Sequence, residues 1–93
     1  MELIRIVRME FEEAHLQAFE ELFAENREAI RAMPGCTHLE LRKDPSNPCV
    51  RYTLSHWKSA KELHAYRKSE LFGQVWPKTK RLFAAPPQAF SLV

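Results

Sequence analysis

Between His56 and Trp76 the chain reads HWKSAKELHAYRKSELFGQVW, and these twenty-one residues hold two His, two Trp, one Tyr and one Phe. Imidazole takes up a proton near neutral pH, which makes it the usual general base. Tyrosine and tryptophan each join a flat apolar body to one hydrogen-bond donor. Such groups could cage an aromatic molecule, orient it and remove a proton from it. The same composition also suits the sheet-facing side of two short helices, because aromatics at helical spacing are core residues more often than site residues. The elements that present the segment decide between these readings.

Residues 3–11, LIRIVRMEF, are rich in strand formers. Ile4 and Ile6 share one face, while Val7, Met9 and Phe11 share the other. A strand apolar on both faces belongs at the centre of a sheet. Leu16, Phe19, Leu22, Phe23, Ile30 and Met33 then recur at helical steps and predict a long amphipathic helix over about 13–33. Pro34 and Gly35 stop it. Two alternating segments follow, 36–43 and 49–57, joined by the turn-forming DPSNP. They read as a hairpin in which Leu39 and Leu41 meet Val50 and Tyr52, with Glu40 near Arg51 on the other face. In that pairing Cys36 and Cys49 lie at opposite ends, too far apart for a disulfide.

Ser59 and Glu62 form a capping-box pattern that opens a helix with Leu63 and Tyr66 inward. A second helical stretch runs from about Ser69 to Ala84, where Pro77 should break or kink it. QAFSLV, 88–93, is a terminal strand. The order β-α-β-β-α-β is that of the α+β, ferredoxin-like sandwich, a four-stranded antiparallel sheet with helices on one face. One such domain should occupy residues 1–93. The other face should carry Ile4 and Ile6, or Val7 and Met9, beside His38, Thr53 and Trp57. A patch that apolar is expected to be covered by a second copy of the chain in a homodimer.

Bulk properties narrow the classes. Ninety-three residues with 45% hydrophobic and 28% charged side chains make an ordinary globular composition. A chain of this length buries only about 60–65% of its unfolded surface, so association would help it. The formal charge of +2 comes with no basic stripe, which argues against nucleic-acid binding. There is no signal-peptide pattern and no apolar run long enough to span a membrane, so a cytoplasmic protein without membrane contact is expected. No His, Cys or carboxylate spacing matches a metal site. His56 and His64 in particular lack a third ligand.

PGC-x-x-LEL, then D-P-x-N-P and an alternating strand, then W-K-S-x-x-x-L-x-A-Y-x-x-S-E-L-F make the chain, over roughly residues 3–92, resemble the antibiotic biosynthesis monooxygenase family. The resemblance implies a dimeric α+β barrel of two ferredoxin-like subunits, with a pocket in each between the sheet and the later helices. It also implies oxidation of small aromatic or quinol-like substrates with O₂, without metal or flavin. A haem-degrading branch of the family uses an Asn, a Trp and an axial His at positions that match Val7, Tyr66 and Trp76. All three depart from that pattern, so no cofactor is expected.

Cofactor-free oxidation needs a base, an apolar cage and a group that orients the oxygens. Strand parity with Tyr52 and Leu54 aims His56 inward, which makes it the candidate base unless it is simply a satisfied histidine at a strand end. Tyr66 is the second catalytic candidate. Tyr52, Leu54, Phe72 and Trp76 are the candidate substrate-binding residues, each with core packing as the alternative. His38 belongs to the opposite face with Glu40, His64 should be exposed, and His15 has no partners for chemistry. Trp57 is assigned to the subunit interface. The competing reading is a dimeric domain that binds a small ligand, or a protein partner, without turnover.

Overall fold

In a computed structural model that describes residues 2–93, the central strand β1 is Leu3–Glu10. A single 3-10 turn, Glu13–His15, leads into helix α1, Leu16–Arg31, whose Phe19, Phe23 and Ile30 are buried. Strands β2, Cys36–Lys43, and β3, Val50–Trp57, follow as a hairpin. Helices α2, Ala60–Arg67, and α3, Glu70–Lys80, come next, and β4, Gln88–Leu92, closes the chain. The sheet order is β2-β3-β1-β4 with every neighbouring pair antiparallel, the ferredoxin-like arrangement.

Local chemistry sets the boundaries. The Ser59 hydroxyl accepts from the Lys61 amide and donates to the Glu62 carboxylate, an N-cap that starts α2. Ser69 accepts from the Phe72 amide and starts α3. Gly35 has φ +85°, and a Cβ there would clash with the Glu62 side chain, so the turn into β2 both needs a left-handed residue and lacks room for a side chain. Helix α3 does not break at Pro77 but continues to Lys80. Cys36 and Cys49 are both free.

Strand β3 presents its faces the other way round from the sequence expectation. Trp57 pairs with Leu3, Ser55 with Arg5, Thr53 with Val7 and Arg51 with Met9. These residues face the helices, while Tyr52, Leu54 and His56 lie across from Arg8, Ile6 and Ile4 on the open face. Leu39 and Leu41 consequently stand opposite Ser55 and Thr53, and Glu40 stands opposite Leu54 rather than beside Arg51. Trp57 dominates the choice: it is 1% exposed and forms part of the core with Leu3, Met9 and Phe11. Its burial outweighs the smaller apolar gain available from Leu54. Arg51 tolerates the inner face because Glu20 bonds it at 2.9 Å and the Pro48 carbonyl at 2.8 Å. A bulge between Cys36 and His38 lets Cys36 turn inward as well, although strict alternation would set it beside His38.

Candidate active site

Thr53 and Ser55 are small, and their placement beneath the helices leaves space that Tyr52 and Leu54 would have filled. Above them is a cavity of about 220 Å³. Its floor is Val7, Thr53, Ser55 and Trp57, and its roof is built from α1, α2 and α3 through Phe23, Leu63, Tyr66, Phe72 and Trp76. The aromatic rings form a continuous wall. Trp57 stacks on Tyr66 with centroids 5.1 Å apart, Tyr66 meets Phe72 edge-on at 5.2 Å, and Phe72 stacks on Trp76 at 5.7 Å. Such pairs hold one another in place, so the wall is preformed.

Few polar groups reach this space. The Trp57 indole donates to Ser55 Oγ at 3.0 Å, and Thr79 Oγ1 donates to the Val75 carbonyl at 2.9 Å, so both are already engaged. The Tyr66 hydroxyl has no hydrogen-bond partner among the described residues, and burial pushes its pKa up to about 12. It is a neutral phenol with a donor to give, not a base. Among the described residues no His, Asp or Glu lines the cavity; its charged lining residues are Arg5 and Arg67.

Of the six site residues expected from sequence, the structure gathers Tyr66, Phe72 and Trp76 at the cavity. His56, Tyr52 and Leu54 are on the far side of the sheet. His56 Nδ1 lies 3.5 Å from Glu2, and its ring is 5.1 Å from that of His38, which in turn contacts Glu40 at 3.2 Å. The Tyr52 hydroxyl donates to Asp44 at 2.9 Å and ties down the hairpin loop. Together with the Ser46 and Asn47 amides, it holds the Asp44 carboxyl below its ordinary range. Trp57, expected at an interface, is a cavity wall. The expected haem mismatch positions Val7, Tyr66 and Trp76 all line the cavity, which offers no histidine as an axial ligand.

Arg5, Thr53 and Ser55 were absent from the expected site. Their signal was present: Arg5 has the parity of Leu3, Val7 and Met9, and a charge on the inward face of a central strand requires a function or a partner.

The geometry can be set beside known proteins. A family model described as antibiotic biosynthesis monooxygenase matches residues 3–76. No curated protein matches the chain in sequence. Among solved structures, a conserved protein from Methanosarcina mazei Go1 superposes with a TM-score of 0.94 at 16% identity, covering 99% of this chain and 91% of that one. Rv0793 from Mycobacterium tuberculosis gives 0.91 at 17% identity, with 100% and 94% covered. PA3566 from Pseudomonas aeruginosa gives 0.85 at 20% identity, with 98% and 91% covered. At these identities the likeness establishes the fold alone. The family model, spanning most of the sequence including Tyr66 and Trp76, carries the assignment: this chain belongs to the antibiotic biosynthesis monooxygenase family.

Proposed function

We propose that the protein is a cofactor-independent monooxygenase that oxidises a small aromatic or quinol-like molecule with O₂ in the cavity between sheet and helices, and that it works as a cytoplasmic homodimer. The observation that carries this reading is the aromatic-walled 220 Å³ cavity with one unpartnered phenol, in a chain of this family. Apolar walls strip water from a ligand, and aromatic faces favour a flat electron-rich ring. An ionised phenol can pass an electron to O₂ and combine with the reduced oxygen. In the complete reaction the phenol becomes a quinone. One oxygen atom is retained as the new carbonyl, and the other leaves as water with the hydroxyl proton and the ring hydrogen. The phenol loses four electrons and O₂ gains four. Tyr66, as a neutral donor, would orient the oxygen atoms and stabilise charge developing on them.

The homodimer is supported by the open face of the sheet. Leu54, Ile6 and Phe90 form one row across it, and His56, Ile4 and Leu92 form the next. Phe90 and Leu92 are about half exposed at 51% and 49%. In a two-fold dimer these rows would cover their own counterparts. His56 then has an interface role in place of the catalytic one. The described residues contain no helix long and apolar enough to cross a membrane, and both thiols are free, which fits a reducing compartment.

A second reading is favoured by one feature, the lack of any carboxylate or imidazole in the cavity: a dimer that binds an aromatic ligand without turning it over. Oxygen consumption with a panel of hydroquinones and polycyclic phenols separates the two. Turnover above the protein-free rate is expected, with Tyr66→Phe lowering kcat by about ten- to a hundredfold at little change in KM. A raised melting temperature with ligand but no oxygen uptake would leave the binding domain standing and remove the monooxygenase.

A further inference from the structure

The eight arginines of this protein differ in what surrounds their charge: Arg31 bonds the Cys36 carbonyl and Arg27 lies over the Phe23 ring. Arg8, Arg42 and Arg51 each lie within 4 Å of a glutamate. Arg5 and Arg67, the two that line the cavity, have no carboxylate partner among the described residues. Arg5 projects from the inward face of β1 and spends one guanidinium nitrogen on Ser91 Oγ at 2.9 Å; its other donors have no acceptor among the described residues. Arg67 ends α2, one residue past Tyr66, and makes no side-chain hydrogen bond among the described residues. Both residues therefore border an aromatic-walled space with guanidinium donors to spare. Partial burial, and secondarily the charge of Arg67, holds Arg5 below its ordinary pKa, which means that its cationic form lacks compensation. The open sheet face cannot supply that compensation from a second copy, because Arg5 is on the other side of β1.

We propose that the cavity takes an aromatic anion, its ring against Trp57, Tyr66 and Phe72 and its anionic oxygens held by Arg5 and Arg67. A guanidinium presents parallel N–H donors that match a carboxylate or an ionised enol or phenol, and the match strengthens where water is scarce. This deepens the ligand-site reading of the cavity and supplies what its walls lack. With no base available, the molecule must enter ionised or lose its proton under the field of the two cations. The guanidinium pair then does through charge what an imidazole would have done by proton transfer.

The test uses the full chain and isosteric ligands, with binding followed by quenching of Trp57 and Trp76 fluorescence. 2-Naphthoate carries the anion, 2-naphthamide is its neutral counterpart, and 2-naphthylmethylammonium is the cation. Naphthoate is expected to bind at least about tenfold more tightly than the amide, with the cation weakest. The preference should shrink in about 0.5 M salt and disappear in Arg5→Gln/Arg67→Gln, whose affinity for the amide stays unchanged. Arg67→Gln alone, at an exposed helix end, should lose part of the preference without loss of fold. Equal binding of acid and amide would overturn the proposal, as would a preference that survives both substitutions or the absence of binding by either ligand. The readout requires no oxygen chemistry. Preferential naphthoate binding without oxygen uptake from any phenol would keep the anion site and dismiss only the monooxygenase.

Discussion

Tyr66 carries a titration that can be followed without knowing any substrate. Its ring packs against Trp57 and Phe72, burial disfavours the phenolate, and its pKa rises from 10 to about 12. The unfolded chain ionises this group near pH 10 and the folded chain near 12. Between those values the unfolded state binds fewer protons, so stability falls as pH rises through the window and is fully present below it. The loss should be on the order of 2 kcal/mol after allowing for partial exposure. Denaturant unfolding at a series of alkaline pH values checks this. Tyr66→Phe should flatten the slope between pH 10 and 12, and an unchanged slope would mean that the ring is better solvated than its surroundings indicate.

At the scale of elements, the turn between α1 and β2 is the most exacting junction in the chain. Gly35 combines a left-handed φ with a position pressed against the first turn of α2, and the Lys58 amide bonds its carbonyl at 2.9 Å. Gly35→Ala adds backbone strain and a clash with Glu62, whose carboxylate is held below its ordinary range chiefly by Ser59. The variant should lose about 2–3 kcal/mol in chemical denaturation, against about 1 kcal/mol for Ser59→Ala, which removes only the cap. Equal losses would show that the glycine serves the turn alone.

Much of this architecture could be read from residue order. PGC marked the turn, Ser59 with Glu62 marked the start of α2, and the alternation in β1 correctly split Ile4 and Ile6 from Val7 and Met9. The helical stripe also brought Tyr66, Phe72 and Trp76 to one place. What failed was β3, because VRYTLSHW carries two competing apolar sets. Val50, Tyr52 and Leu54 win on count, whereas Trp57 wins on burial. A single strand contains no information on which set its neighbours need; the pairing of Trp57 with Leu3 and of Met9 with a glutamate-neutralised Arg51 decides it. The face change moved His56 out of the candidate site and brought in Thr53 and Ser55. Thr53→Leu should therefore fill the floor of the cavity, weaken naphthoate binding by about tenfold or more, and leave the melting temperature unchanged or higher.

For the whole molecule, the consequence of that face change is a sheet whose outer surface is richer than expected. Ile6 stands at its centre, flanked in register by Leu54 on β3 and Phe90 on β4. Polar side chains border this row: His38 and Arg42 contact Glu40 on β2, and Arg8 lies within 4 Å of Glu10 at the far end of β1. An apolar centre with a charged rim is the anatomy of a protein interface, and the proposed twin would remove water from the centre while the rim sets orientation. Ile6→Glu places a carboxylate in the middle row, where two copies related by a two-fold axis would bring like charges together in a desolvated site. Sedimentation equilibrium at micromolar concentration should give twice the 10.9 kDa chain mass for the parent and a single chain mass for the variant. Because Ile6 is partly exposed in one chain and points away from the cavity, the variant should stay folded by circular dichroism and still quench with naphthoate. A parent that sediments as one chain would remove the dimer while leaving the cavity argument intact. Loss of quenching in a folded, monomeric Ile6→Glu would instead tie the two faces of the sheet together, since a site on the helical side would then depend on the partner that covers the other.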